Sequence, residues 1–190
     1  MKKIKPLGKS APHRLTWVYY HMMTDLINEI NSEDDNEKIK QKTVLTIFLA
    51  LNLIETFINS YFRLVAERIG DPVKKKKMIE DINKEGIEWK IKNWPGLNKI
   101  DYGKGIGQKF KKLKGLRNDL VHYKPTYERV RTFDGELEGL TDTRIYDHLE
   151  KDQAGKLLKT VEDFINEILR FNLRGVKEQS IAIWLGKTGK

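Results

Sequence analysis

Residues 105–123 read GIGQKFKKLKGLRNDLVHY, and the way this stretch divides its faces sets the fold. Placed on a helix at about 100° per residue, Phe110, Leu113, Leu116, Leu120 and Val121 gather on one arc. That is the pattern of a helix burying one side. Arg117 falls inside this apolar arc, an unexpected place for an arginine that is simply solvated. A second stripe, Lys111, Gly115, Asn118 and His122, runs along a different side. Pro125 limits how far the helix can continue, because the residue before a proline disfavours helical dihedrals. His122 is therefore expected near the helix C-terminus, where the negative end of the dipole favours its protonated form.

The hexapeptide Arg117-Asn118-Asp119-Leu120-Val121-His122 resembles the R-x(4–6)-H signature of HEPN domains, in its R-N-x-x-x-H form. Those domains are antiparallel helical bundles, and many are metal-independent endoribonucleases acting as toxins or antiviral effectors. The resemblance implies Arg117 and His122 as the catalytic pair, with Asn118 as polar neighbour. It also implies a symmetric homodimer that brings two motifs together over one cleft. In sequence it covers only these six residues; in architecture it covers roughly 14–173.

Outward from the motif, charge is the first guide. The 190 residues carry a formal net charge of +9, which makes an anionic partner such as RNA, another nucleic acid or a nucleotide plausible. The bias is local: 104–124 contains seven Lys/Arg against one acid, Asp119. Lys104, Lys109, Lys111 and Lys114 are the candidate phosphate contacts. A solvated helix face accounts for such a run as well as an anion site does. With 39% hydrophobic residues, the chain suits one globular domain with a real core. There is no cysteine, which excludes disulfides and thiolate metal sites and fits a reducing compartment.

The N-terminus lacks the apolar run of a signal peptide. Residues 43–54 form the longest charge-free apolar segment, too short to span a bilayer. A cytoplasmic protein without membrane association is expected.

In chain order, 1–13 are basic, hold two prolines and read as a flexible N-terminus. A helical stripe covers 14–30 and breaks at Ser32-Glu33-Asp34-Asp35-Asn36. A long helix follows over about 37–69, ended by Gly70 and Asp71-Pro72. Its middle is apolar around most of its circumference, which places it at the centre of a bundle or at a subunit interface. Within it, Asn52, Glu55, Asn59 and Arg63 draw a narrow polar line. The plain reading is a strip facing water. The sharper one sets Glu55 or Asn52 opposite Arg117, with these two and Asp119 as supporting residues.

Residues 73–85, opening on four lysines, predict a short helix whose lysines are solvated. Residues 86–101 read as a connection with at most one helical turn, its tryptophans packing residues rather than base-stacking platforms. Gly103, Gly105 and Gly107 could turn backbone N–H groups toward a phosphate, but no preceding strand supports a dinucleotide site. After Pro125, Asp134-Gly135 is a hairpin signal inside an excursion that lasts to about 147. Helical period returns over about 149–173. The extension 174–190 has enough apolar residues to dock; its Gly186-Lys187-Thr188 mimics a P-loop ending, but Ile181 stands where a glycine is needed. The expected fold is thus all-α, an antiparallel bundle of four main helices with a short extra helix and an excursion before the last.

His13, His21 and His148 show no ligand spacing with carboxylates, so neither metal nor cofactor is expected. No G-x-S-x-G elbow appears. The arginine–histidine pair is the one constellation left with chemical content. Histidine can act as general base or acid near neutral pH, and arginine offers a charged planar fork to two phosphate oxygens. One histidine is an incomplete set for two proton transfers. Three readings follow: a ribonuclease, with an antitoxin as a candidate partner; a non-catalytic HEPN-like module binding nucleotide, nucleic acid or a partner protein; and, last, a DNA-binding regulator, for which no helix-turn-helix spacing is visible.

Overall fold

The computed structural model describes residues 11–121, 132–133, 136–137, 146 and 148–184. Among these the protein is all-α apart from one minimal pairing. The helices are α1 (Ala11–Ser32), α2 (Asn36–Glu67), α3 (Pro72–Lys84), α4 (Ile87–Asn93), α5 (Gly105–Val121), α6 (Lys151–Arg170) and α7 (Lys177–Trp184). Between α5 and α6, Thr132–Phe133 (β1) pairs antiparallel with Glu136–Leu137 (β2), flanking the Asp134-Gly135 signal. The structures of Asp134, Gly135 and most of the excursion lie outside the described residues.

The helix starts follow from capping chemistry. Asp35 accepts hydrogen bonds from the backbone N–H groups of Glu37 (3.0 Å) and Lys38 (3.4 Å), satisfying donors that the first turn of α2 leaves open. Asp71 does the same for Val73 and Lys74 at the start of α3, where Pro72 occupies the first turn.

α2 is the axis of the molecule. It packs against α1, which returns through a turn of three residues, and also against α3, α5, α6 and α7. Its inward residues, among them Ile47, Leu53, Ile54, Phe57, Tyr61 and Phe62, are almost completely buried. This explains its near-circumferential apolarity. Among the described residues it is the one helix long and apolar enough to cross a membrane, by length and composition, although its longest charge-free run is short. In the fold, 61% of that apolar window is buried.

α5 lies against α2 and α6. Its Phe110 stacks on Phe164 of α6, ring centroids 4.4 Å apart and planes at 12°. Leu113 is buried, Leu116 and Leu120 half-buried, and Val121 is 44% exposed, so the apolar arc loosens toward the motif end. Two of the glycines before the helix have steric reasons. Gly105 opens it in the left-handed region at φ +58°. A Cβ on Gly107 would fall 2.3 Å from the carbonyl oxygen of Asp101, so only glycine lets the chain at 100–101 lie against the first turn of α5.

Residues 86–101 hold more helix than their sequence suggests. α4 makes about two turns and a 3-10 turn follows at Leu97–Lys99. The segment contributes to the core: Trp94 is 3% exposed and leans on Phe62 at 4.2 Å, and Leu97 and Ile100 are buried. The C-terminal extension also docks. α7 contacts α1, α2 and α6, burying Val176 and Ser180. A clasp locks it in place. Arg68, just past α2, donates to the carbonyls of Arg174 (2.7 Å) and Gly175 (2.9 Å) and to Gln179 Oε1 (3.0 Å), while Arg174 donates back to the Arg68 carbonyl.

Candidate functional site

The phase that buries Phe110 and Leu113 turns Lys114, Arg117 and Asn118 toward α2 and α4. There they complete a cleft of about 320 Å³. Its other walls are Phe48, Leu51, Asn52 and Glu55 from α2, and Ile87 and Glu88 from α4. The polar line of α2 therefore does not merely face water: Asn52 and Glu55 look into the same space as Arg117. One turn further along, Asn59 accepts a hydrogen bond from Lys90 of α4.

Arg117 is half-buried, and its Nη1 donates to Asn118 Oδ1 at 3.1 Å. That bond orients the guanidinium and leaves most of its five donors for something else. Lys114 is paired with Glu88, and the ammonium holds the Glu88 carboxyl below its usual range. The cleft therefore carries two cations, Lys114 and Arg117, against two carboxylates, Glu55 and Glu88.

The other three candidate phosphate contacts lie outside the cleft. Lys104 is exposed and ion-paired with Asp101 at 3.5 Å; Lys109 and Lys111 are exposed and do not line the cleft. Asp119 is exposed as well. Gly115 has open space where a side chain would go. His122 lies outside the described residues. Among the described residues, no group of three or more His, Cys, Asp or Glu side chains is placed to hold a metal ion.

Compared with known proteins, the chain matches no family model, no curated protein and no solved structure. Its site rests on its own residues.

Two of these residues left no signal in the sequence. Glu88 reads as an ordinary surface acid until the fold brings Lys114 to it. Lys90 sits in a segment expected to be a connection, yet it is 1% exposed. Its Nζ donates to Asn59 Oδ1 at 2.7 Å and to the Ile82 carbonyl at 3.0 Å, and lies 5.5 Å from the centroid of the Trp94 ring. It thus ties α2, α3 and α4 together beside the cleft.

Burial pushes the Lys90 ammonium below the ordinary lysine value of 10.5, against the opposing pull of Glu55 and Glu85. Below the folded-state value both folded and unfolded chains hold the proton, and the cost of burying the charge is paid in full. Between that value and 10.5 only the unfolded chain holds it, so stability rises with pH through this window. The stability difference between wild type and Lys90→Met, followed by urea unfolding, should therefore move in favour of wild type as the pH approaches 10.5 from neutrality. A difference that stays flat refutes the assignment.

A second cavity, about 430 Å³, opens on the other flank of α5 between Leu116 and the first turns of α6, lined by His148, Leu149, Gln153, Lys156, Leu157 and Thr160. Its walls are mainly aliphatic. Lys156 is engaged by Asp152. His148 is exposed and is the one imidazole at this cavity among the described residues.

Proposed function

We propose that the chain is a HEPN-like domain, with α1, α2, α5 and α6 as the four helices of an antiparallel bundle, and that it is a metal-independent endoribonuclease of toxin or defence type. The observation that carries this reading is Arg117. A half-buried guanidinium, oriented by Asn118 and opening on a cleft beside Asn52, Glu55 and Lys114, is suited to an anion that must be held in a fixed pose. The role of His122 comes from the resemblance of its motif.

In this mechanism the 2′-oxygen of RNA attacks the adjacent phosphorus and loses its proton to an imidazole. The bond from phosphorus to the 5′-oxygen breaks, and that oxygen takes a proton from a second acid. Arg117 donates to the two non-bridging oxygens, whose charge grows in the transition state. A homodimer supplies the second His122. RNA is the partner, the cytoplasm the setting, and an antitoxin the natural means of restraint.

The test is to incubate purified protein with RNA in EDTA. Fragments ending in 2′,3′-cyclic phosphate and 5′-hydroxyl are expected, and 2′-deoxy substitution at the cut should block cleavage. Intact RNA would defeat the proposal. One observation favours a second reading, a module that binds nucleotide or nucleic acid without cutting it: Glu88 already occupies Lys114, and the cleft carries no excess positive charge. That reading predicts binding with no fragments.

A further inference from the structure

A site for phosphate alone has no use for a carboxylate that faces the same space. Glu88 is accounted for by Lys114. Glu55 is not: it is half-buried, lines the cleft, and has no hydrogen-bond or ion-pair partner among the described residues. Lys90 acts on it electrostatically, but that ammonium donates its hydrogen bonds to Asn59 and the Ile82 carbonyl. A half-buried carboxylate with open lone pairs calls for hydrogen-bond donors.

The walls narrow the choice of donor. Phe48, Leu51 and Ile87 give apolar and aromatic surface for a flat ring, while Asn52, three residues before Glu55, adds a carboxamide on the same helix face. Single-stranded RNA is read in this way, with unstacked bases lying on side-chain surfaces and their Watson–Crick edges hydrogen-bonded. Of the four bases, guanine presents two adjacent donors on that edge, N1–H and the 2-amino group, which match the two oxygens of a carboxylate. Its O6 is left for the Asn52 amide. Adenine and cytosine each place a ring-nitrogen acceptor beside a single amino donor, and uracil flanks one N–H with two carbonyls; each would set an acceptor against Glu55.

We infer that the α2 side of the cleft is a guanine subsite in which Glu55 accepts N1–H and the 2-amino group, Asn52 contacts O6, and the nucleotide's phosphate lies toward Arg117. The inference rests on the proposal that this cleft receives RNA, but it concerns which base is chosen rather than whether the chain is cut. Glu55 is here a specificity residue with no part in proton transfer.

The experiment is calorimetric titration of the full chain with GMP, IMP and AMP. Because hydrogen bonds to a charged group are the strong ones, GMP should bind about tenfold or more tighter than AMP. IMP, which keeps N1–H and lacks the 2-amino group, should fall between them. Glu55→Gln should erase the difference between GMP and AMP. The comparison of GMP with IMP on wild type needs no variant and so does not depend on the folding of Glu55→Gln. Equal binding of the three, no binding of any, or a preference that survives Glu55→Gln overturns the subsite. The two ideas separate cleanly: RNA cut with no guanine preference leaves the nuclease reading standing and removes the subsite. Selective GMP binding by a protein that leaves RNA intact does the reverse.

Discussion

Arg117→Ala is expected to lower RNA cleavage by about 10²–10³-fold, the usual effect of removing one preorganised donor from a developing oxyanion. His122→Ala should abolish cleavage as well, since no other imidazole belongs to the motif. The two differ in what lies beneath. Arg117 is half-buried and shares the cleft wall with Phe48, Leu51 and Ile87, so alanine there should also cost some stability. Arg117→Lys separates the two effects. The lysine stem restores much of the packing, but an ammonium cannot reproduce the planar fork or the bond from Nη1 to Asn118, so stability should recover further than rate. Single-turnover cleavage, with urea unfolding of the same samples, measures both. Cleavage at the wild-type rate by Arg117→Ala would remove the arginine from the mechanism.

The largest effect on stability is expected from Phe110→Ala, at about 3–5 kcal/mol. Phe110 is 2% exposed and its stack with Phe164 fastens α5 to α6, so truncation opens a cavity between two helices in the middle of the core. Against a typical total of about 5–15 kcal/mol, that is a large share. Urea denaturation gives the value directly, and a loss below about 1 kcal/mol would contradict the packing described. The site should suffer with the fold, because Lys114, Arg117 and Asn118 all ride on α5.

The helices that the sequence announces are those with a long apolar period and a chemical stop. α2 carries both, between Asp35 and the Gly70-Asp71-Pro72 break, and its observed ends fall within two residues of the expected ones. α1 and α6 are nearly as plain. α4 and α7 span seven and eight residues, too few for a period to stand out, and their packing is decided by distant partners. Trp94 needs Phe62, and Val176 needs the Arg68 clasp.

The site divides along the same line. An arginine inside an apolar arc is visible in sequence because it violates a local pattern. That Asn52 and Glu55 face it is readable only as one of two options, since a polar line on a helix is the same line whether it meets water or another helix. Glu88 and Lys90 violate nothing locally. An acid and a lysine around a tryptophan look like surface, and only the placement of α4 against α2 and α5 gives them partners. The lysine run shows the same limit: of its four candidate contacts Lys114 lines the cleft, and Lys104, Lys109 and Lys111 lie outside it, a division that charge alone does not announce.

The central position of α2 has a consequence for the time before the protein is finished. Translation proceeds from the N-terminus at about 5–20 residues per second. α2 is complete at Glu67, while α6, which covers much of it, ends at Arg170. For several seconds the newly made chain therefore offers a long apolar helix that α1, and then α3 and α5, cover only in part. A message cut short before α6 makes that interval permanent. The product would carry the most adhesive segment of the protein without its cover, a substrate for chaperones and proteases rather than a smaller version of the native domain.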